Sequence, residues 1–201
     1  MIKSVVFDFG GVLIDWNPLN LYRDFFKNED ERDFFLQNVC TPEWNKALDK
    51  GFPFKEGVVQ KMRAFPSFSN AIRAYDERWD EMLGDVIEQN VELLERVSRR
   101  YGVYGLTNWS TEKWAQTEPK HPFFKIFGGK IVVSGVEKEV KPDPKIFQIL
   151  LDRYGLDARE CAFIDDSEAN VEAARRMGFT AFRFTDCRKL RDDLAAAGIV
   201  F

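Results

Sequence analysis

The chain has 201 residues, 45% of them hydrophobic, which suffices for a large domain, or a domain with an insertion, and excludes a disordered tail. Lys and Arg total 29 against 33 Asp and Glu, a net charge of -4 with the signs interleaved, which argues against a nucleic-acid or membrane-surface footprint. Cys40, Cys161 and Cys187 fall outside any metal-ligand spacing and read as reduced thiols. A strand pattern begins within a few residues of Met1, leaving no room for a signal peptide, and no apolar run approaches the ~18 residues of a membrane span. A cytoplasmic protein with no nucleic-acid or membrane partner is the expectation.

In chain order, Ser4-Val5-Val6-Phe7 is β-branched or aromatic almost throughout, and Gly10-Gly11 breaks the run. It reads as a buried parallel strand ending in a tight turn. Asp8 interrupts it; a charge at the end of a buried strand is costly unless paired, so it points to a cation or to catalysis, with turn capping as the alternative. From Leu19 to about Ser98 no strand stands out, and apolar residues recur at helical spacing, as in Tyr22, Phe25, Phe26 and Ile72, Tyr75, Trp79, Met82. Breaks at Thr41-Pro42, Gly51-Phe52-Pro53 and Phe65-Pro66-Ser67 predict four helices whose aromatic stripes are core.

From Asn90 onward helices and strands alternate. Helices are predicted over 91–100, 111–116, 144–154 and 169–177, and strands over 103–106, 130–134, 161–164 and 180–184. This is an α/β pattern, a parallel sheet covered by helices on both faces, with a helical block inserted after the first strand. The expected division is 1–15 with 90–201 as an α/β core and 16–89 as a helical cap.

In such folds the ligand lies at the carboxyl ends of the strands. Asp8 and Gly10, Thr107 and Asn108, Lys141, and Asp165 and Asp166 with Ser167 collect there. Three carboxylates with backbone oxygens make a hard, all-oxygen site, better suited to Mg²⁺ than to zinc. Lys141 offers a fixed charge to a dianionic phosphate, Thr107 and Asn108 can donate to its oxygens, and a carboxylate against a phosphoryl group can attack it to give an aspartyl-phosphate. The set suits phosphoryl transfer from a small phosphorylated substrate and lacks only a proton donor.

Asp8-Phe9-Gly10-Gly11-Val12, Leu106-Thr107-Asn108, Lys141-Pro142-Asp143-Pro144 and Phe163-Ile164-Asp165-Asp166-Ser167, in that order, resemble the four motifs of the haloacid dehalogenase (HAD) superfamily. The likeness covers the whole chain, including the cap after the first motif, and falls closest to phosphatases such as α-D-glucose-1-phosphate phosphatase. It implies a Rossmann-like core with Asp8 as nucleophile. It also implies Mg²⁺ on Asp8, the Gly10 carbonyl and Asp166 with Asp165 beside it, phosphate on Thr107 and Asn108, and stabilisation by Lys141.

One position departs from the pattern. The common phosphatase has a second Asp two residues after the nucleophile as general acid, where this chain has Gly10. General acid-base help contributes roughly 10²–10⁴-fold, so the expectation is a slow phosphatase or another donor: Asp15, a cap residue or the substrate itself. The same gap leaves open a 2-haloacid dehalogenase using Asp8, or a weakly active binding module. Against the dehalogenase stand the paired acids Asp165-Asp166 and the lack of an aromatic side chain at Gly10. Among smaller signals, Asn170 can hydrogen-bond the acidic loop, Ser134 can support the Lys141 loop, and His121 reads as a packing histidine. Trp44 to Gly51 is expected to join two cap helices and face the site.

Overall fold

Seven strands form in the computed structural model, which describes Met1–Phe201: β1 (Ser4–Phe7), β2 (Ile14–Trp16), β3 (Leu83–Val86), β4 (Gly102–Thr107), β5 (Ile131–Val133), β6 (Cys161–Asp165) and β7 (Thr180–Arg183). β1 is buried along its length. It lies at the centre of a five-stranded parallel sheet of order β5-β4-β1-β6-β7, with Val6 level with Tyr104 on one side and Phe163 on the other.

Strand periodicity then assigns the two faces. Val5 and Phe7 pack in a layer with Val91 and Leu94 of the helix Glu88–Ser98 and with Leu190 and Leu194 of the helix Cys187–Ala196. Val6, Leu106 and Phe163 pack in another with Ile146 and Phe147 of the helix Pro144–Tyr154 and with Val171 and Ala174 of the helix Glu168–Arg176. Each such side chain contributes roughly 1.5–3 kcal/mol by leaving water. This is the α/β architecture that the alternating pattern predicts. No helix is long and apolar enough to cross a membrane.

The segment between β2 and β3 builds a third apolar cluster. Tyr22, Phe35, Phe54, Ile72, Tyr75 and Trp79 interlock there, so the aromatic stripes are core as expected. The predicted breaks all occur, but five α-helices form rather than four, because Asn28 starts an extra one by accepting from the Asp30 and Glu31 amides. β3 also corrects the strandless reading: it pairs antiparallel with β2 to make the neck of the insertion. Its Leu-Gly-Asp-Val sequence has no alternation to betray it. The C-terminal helix Cys187–Ala196 escapes the sequence pattern because its buried stripe is only Leu190 and Leu194.

Trp44 to Gly51 is likewise the body of a helix rather than a connection. Thr41 caps the helix Pro42–Asp49, accepting from the Trp44 amide at 3.2 Å, and Pro42 opens it. The helix stops at Gly51 (φ +89°), where a Cβ would fall 2.6 Å from the Gly135 carbonyl oxygen. Only glycine allows the end of this helix to press so closely on the turn after β5.

Candidate active site

The carboxyl ends of β1, β4 and β6 bring the first part of the site together. Asp8 follows β1, donating its backbone N–H to the Ile164 carbonyl of β6 (2.9 Å), while its Oδ1 accepts from the Phe9 amide (2.7 Å). Asp165 is the last residue of β6, and Thr107 the last of β4. Lys141 reaches back beneath them from the loop after the short helix Ser134–Glu137. Its Nζ donates to the Leu106 carbonyl (2.8 Å) and pairs with Asp8 Oδ1 (2.9 Å) and Asp165 Oδ2 (2.7 Å), three acceptors for three hydrogens. Burial opposes the ammonium charge, but Asp165 and then Asp8 outweigh it and hold the Lys141 pKa above its usual value.

Asp165 is saturated by protein donors. Its Oδ1 accepts from the Ser167 amide and from Asn170 Nδ2, both at 2.9 Å, and its Oδ2 takes Lys141 and again Asn170 (3.1 Å). Asn170 therefore braces the acidic loop, as the sequence suggests. Asp166 is exposed beside it. At Gly11 (φ +74°) a Cβ would fall 2.6 Å from Asp166 Oδ2, so this glycine lets the turn after β1 approach that carboxylate.

Asp8, Asp165 and Asp166 each offer a carboxylate oxygen within 4.8 Å of the others. Three acids against the single Lys141 leave an excess of negative charge, and burial first, then Asp165 and Asp166, push the Asp8 carboxyl well above its usual range against the pull of Lys141. A divalent cation would relieve that excess, and an all-oxygen donor set fits Mg²⁺.

Asn108 and Thr107 differ in what occupies them. The Asn108 amide clasps the Lys141 backbone, donating to its carbonyl (3.0 Å) and accepting from its N–H (2.8 Å). Thr107 is 1% exposed and its hydroxyl has no hydrogen-bond partner in the protein, the kind of orphaned group that an anion would satisfy. Ser134 supports the neighbouring backbone by accepting from the Trp109 amide (2.8 Å), and it donates to the Asp49 carbonyl of the insertion (2.6 Å).

Above these groups lies a cleft of about 450 Å³, a volume suited to a small molecule. The core lines it with Asp8, Gly10, Asn108, Lys141 and Asp166, and the neck and insertion with Trp16, Asn45, Lys46, Asp49 and Trp79. The helix within Trp44 to Gly51 does face the site. Asp49, buried on that helix, is not singled out by the sequence, where it is only an acid one turn after Asn45 in the segment expected to face the cleft. Two other residues lie elsewhere. Asp15 is exposed, accepts from Asn20 Nδ2 (3.0 Å) and is absent from the cleft wall, which corrects its candidacy as proton donor. His121 packs on Phe123 and Phe124.

A model of the haloacid dehalogenase-like hydrolase family matches residues 2–178. The chain is 27% identical to a sesquiterpene phosphatase of Aspergillus oryzae, over 94% of this chain and 95% of that one. It is 22% identical to a D-ribitol-5-phosphate phosphatase of Bacteroides thetaiotaomicron, over 91% and 92%. Among solved structures, a HAD family enzyme of Bacteroides thetaiotaomicron in complex with magnesium and inorganic phosphate superposes with a TM-score of 0.69 at 25% identity, covering 92% of this chain and 95% of that one. These relatives carry a likeness to phosphatases in general and not the narrower one to α-D-glucose-1-phosphate phosphatases. With the four motifs gathered at one end of a parallel sheet and the family model spanning most of its length, the chain belongs to the haloacid dehalogenase-like hydrolases.

Proposed function

We propose that the protein is a Mg²⁺-dependent phosphatase that hydrolyses a small phosphomonoester through an aspartyl-phosphate on Asp8. The observation that carries this reading is the cluster of Asp8, Asp165 and Asp166 within 4.8 Å around one buried lysine, at the floor of a small-molecule cleft. The named activities of the relatives and the magnesium and phosphate in the neighbouring structure support it.

Asp8, the Gly10 carbonyl and Asp166 would hold Mg²⁺, which when bound neutralises charge on the phosphoryl oxygens. Asp165 holds Lys141 and the loop in place, since its own oxygens are already occupied. Lys141 holds the Asp8 carboxylate in position for attack on phosphorus, and the bound cation would favour its anionic form. The Thr107 hydroxyl and the second hydrogen of the Asn108 amide donate to the transferred group. The helices between Pro18 and Glu77 act as a cap, in which Asn45 and Lys46 with Trp16 and Trp79 at the neck select the substrate. A dehalogenase has no use for a cation, and that reading leaves the excess of acid at the strand ends unexplained.

Asp8→Asn removes the nucleophile while keeping its size. Turnover of a phosphomonoester in Mg²⁺ is expected to fall at least 10³-fold, and EDTA to abolish wild-type turnover until Mg²⁺ is restored. Full activity in the variant, or indifference to EDTA, would overturn the mechanism.

A further inference from the structure

Cleavage of an alkyl phosphate leaves an alkoxide that needs a proton, and Gly10 has no side chain to give one. The acids lining the cleft are Asp8, Asp166 and Asp49. In the proposed reaction the first two serve the nucleophile and the cation, both from the core. Asp49 is the one carboxyl that the insertion contributes to the cleft wall, at the end of the helix Pro42–Asp49.

Its surroundings fix it in place. Tyr75 donates its hydroxyl to Asn45 Oδ1 (2.9 Å), which turns the Asn45 amide so that Nδ2 donates to Asp49 Oδ2 (2.8 Å). The Asp49 carbonyl is tied to Ser134 of the core, the Lys138 ammonium donates to the Gly51 carbonyl (3.1 Å), and Lys50 pairs with Glu139 (3.1 Å). The end of the helix is thus pinned to the wall of the site.

Building on the phosphatase reading, we propose that Asp49 is the general acid and base of this enzyme, a catalytic residue supplied by the cap in place of the carboxyl missing at Gly10. In the first half-reaction Asp8 Oδ bonds to phosphorus, the bond to the ester oxygen breaks, and that oxygen takes the proton from Asp49. In the second, water attacks phosphorus and gives a proton to Asp49, the bond to Asp8 breaks, and inorganic phosphate leaves with both carboxyls as they began.

The groups facing Asp49 suit that duty. Asn45 and Lys46 lie on its own helix, Tyr75 on the helix Ser69–Glu77, Ser110 and Ser134 on the core, and Lys141 below. None of the positive groups makes an ion pair with it. Burial pushes its carboxyl up to about 7, against the smaller pulls of the Ser110 amide, Asn45 and Lys141. A proton carrier works best with a pKa near the operating pH.

The test compares an alkyl phosphate with p-nitrophenyl phosphate, whose acidic phenol leaves without a proton. Asp49→Asn is expected to lose about 10²–10³-fold in turnover of the alkyl ester. Its pre-steady-state burst of p-nitrophenolate should stay within about tenfold of wild type, followed by slow turnover of the phosphoenzyme. A p-nitrophenolate burst slowed as much as turnover of the alkyl ester, or no loss in either, would overturn the assignment. Should the variant not fold, the wild type decides: kcat/KM for the alkyl ester must fall as pH rises past about 7, and a level profile overturns the proposal. If wild type turns over both esters and Asp8→Asn neither, an unaffected Asp49→Asn sinks this assignment alone. A wild type that turns over neither sinks the phosphatase reading and this one with it.

Discussion

Asp8 and Asp49 are both 7% exposed and both line the cleft, one from the end of β1 and one from the end of a helix in the insertion. Asp8 is ion-paired with Lys141, sits among Asp165 and Asp166, and accepts a backbone amide. Asp49 has a neutral amide, Asn45, as its side-chain partner. Each is raised by burial, but a cation at the strand ends would return Asp8 to its anion, and no corresponding cluster of acids invites a cation to Asp49. In the proposed mechanism one residue type thereby serves two duties, attack at phosphorus and carriage of a proton, set apart by partners rather than by depth.

The largest expected effect comes from removing the partner that distinguishes Asp8. Lys141→Met leaves Asp8 and Asp165 buried face to face without their shared cation. Breaking such a buried pair costs about 3–5 kcal/mol, and phosphatase turnover should be lost. Denaturant unfolding and a phosphomonoester assay check both. A variant as stable and active as wild type would show that the Asp8 environment does not depend on the lysine.

A smaller effect is expected from Asp49 itself, read through stability. Its folded pKa of about 7 lies above the ordinary Asp value of 3.8, so the folded state holds the proton longer than the unfolded one. The resulting stabilisation is full below the unfolded pKa and is lost as pH rises through about 7. At about 1.4 kcal/mol per pKa unit, the full extent is on the order of 4 kcal/mol. Denaturant unfolding of wild type should weaken between about pH 4 and 7, and Asp49→Asn should weaken less over the same span. Parallel curves would mean that Asp49 is ionised when folded and that the contrast with Asp8 is false.

The two regions also differ in how legible they are in the sequence. The core announces itself: Val5, Val6 and Phe7 alternate between two layers, Asp143-Pro144 and Gly155 bracket a helix predicted at its observed limits, and Asp8, Thr107 and Asp165 stand where apolar strands end. The sequence places Asp165 beside the metal but shows charge and not occupancy; its four hydrogen bonds reveal that the protein already fills both of its oxygens. The insertion hides more. Helical spacing reveals its buried face, but β3 is only four residues long, and the amide that holds Asp49 is itself held by Tyr75, thirty residues from Asn45. Such long-range packing leaves no periodic trace.

The smallest expected effect tests the contrast from the position that lacks a side chain. A Cβ at Gly10 would meet only Trp16 Cβ at 3.6 Å, an ordinary contact, and its backbone is not left-handed. Gly10→Asp is therefore sterically admissible and places a new carboxyl beside the nucleophile. If Asp49 already carries the proton, turnover of an alkyl phosphate in this variant should stay within about tenfold of wild type, because a second acid duplicates a filled role. In the Asp49→Asn background the same substitution should recover part of the lost rate, since a proton donor then stands on the core side of the leaving oxygen. Stopped-flow assays of the four proteins read the coupling directly. Equal gains from Gly10→Asp in both backgrounds would show that the two carboxyls act independently, leaving the proton without its carrier in the cap.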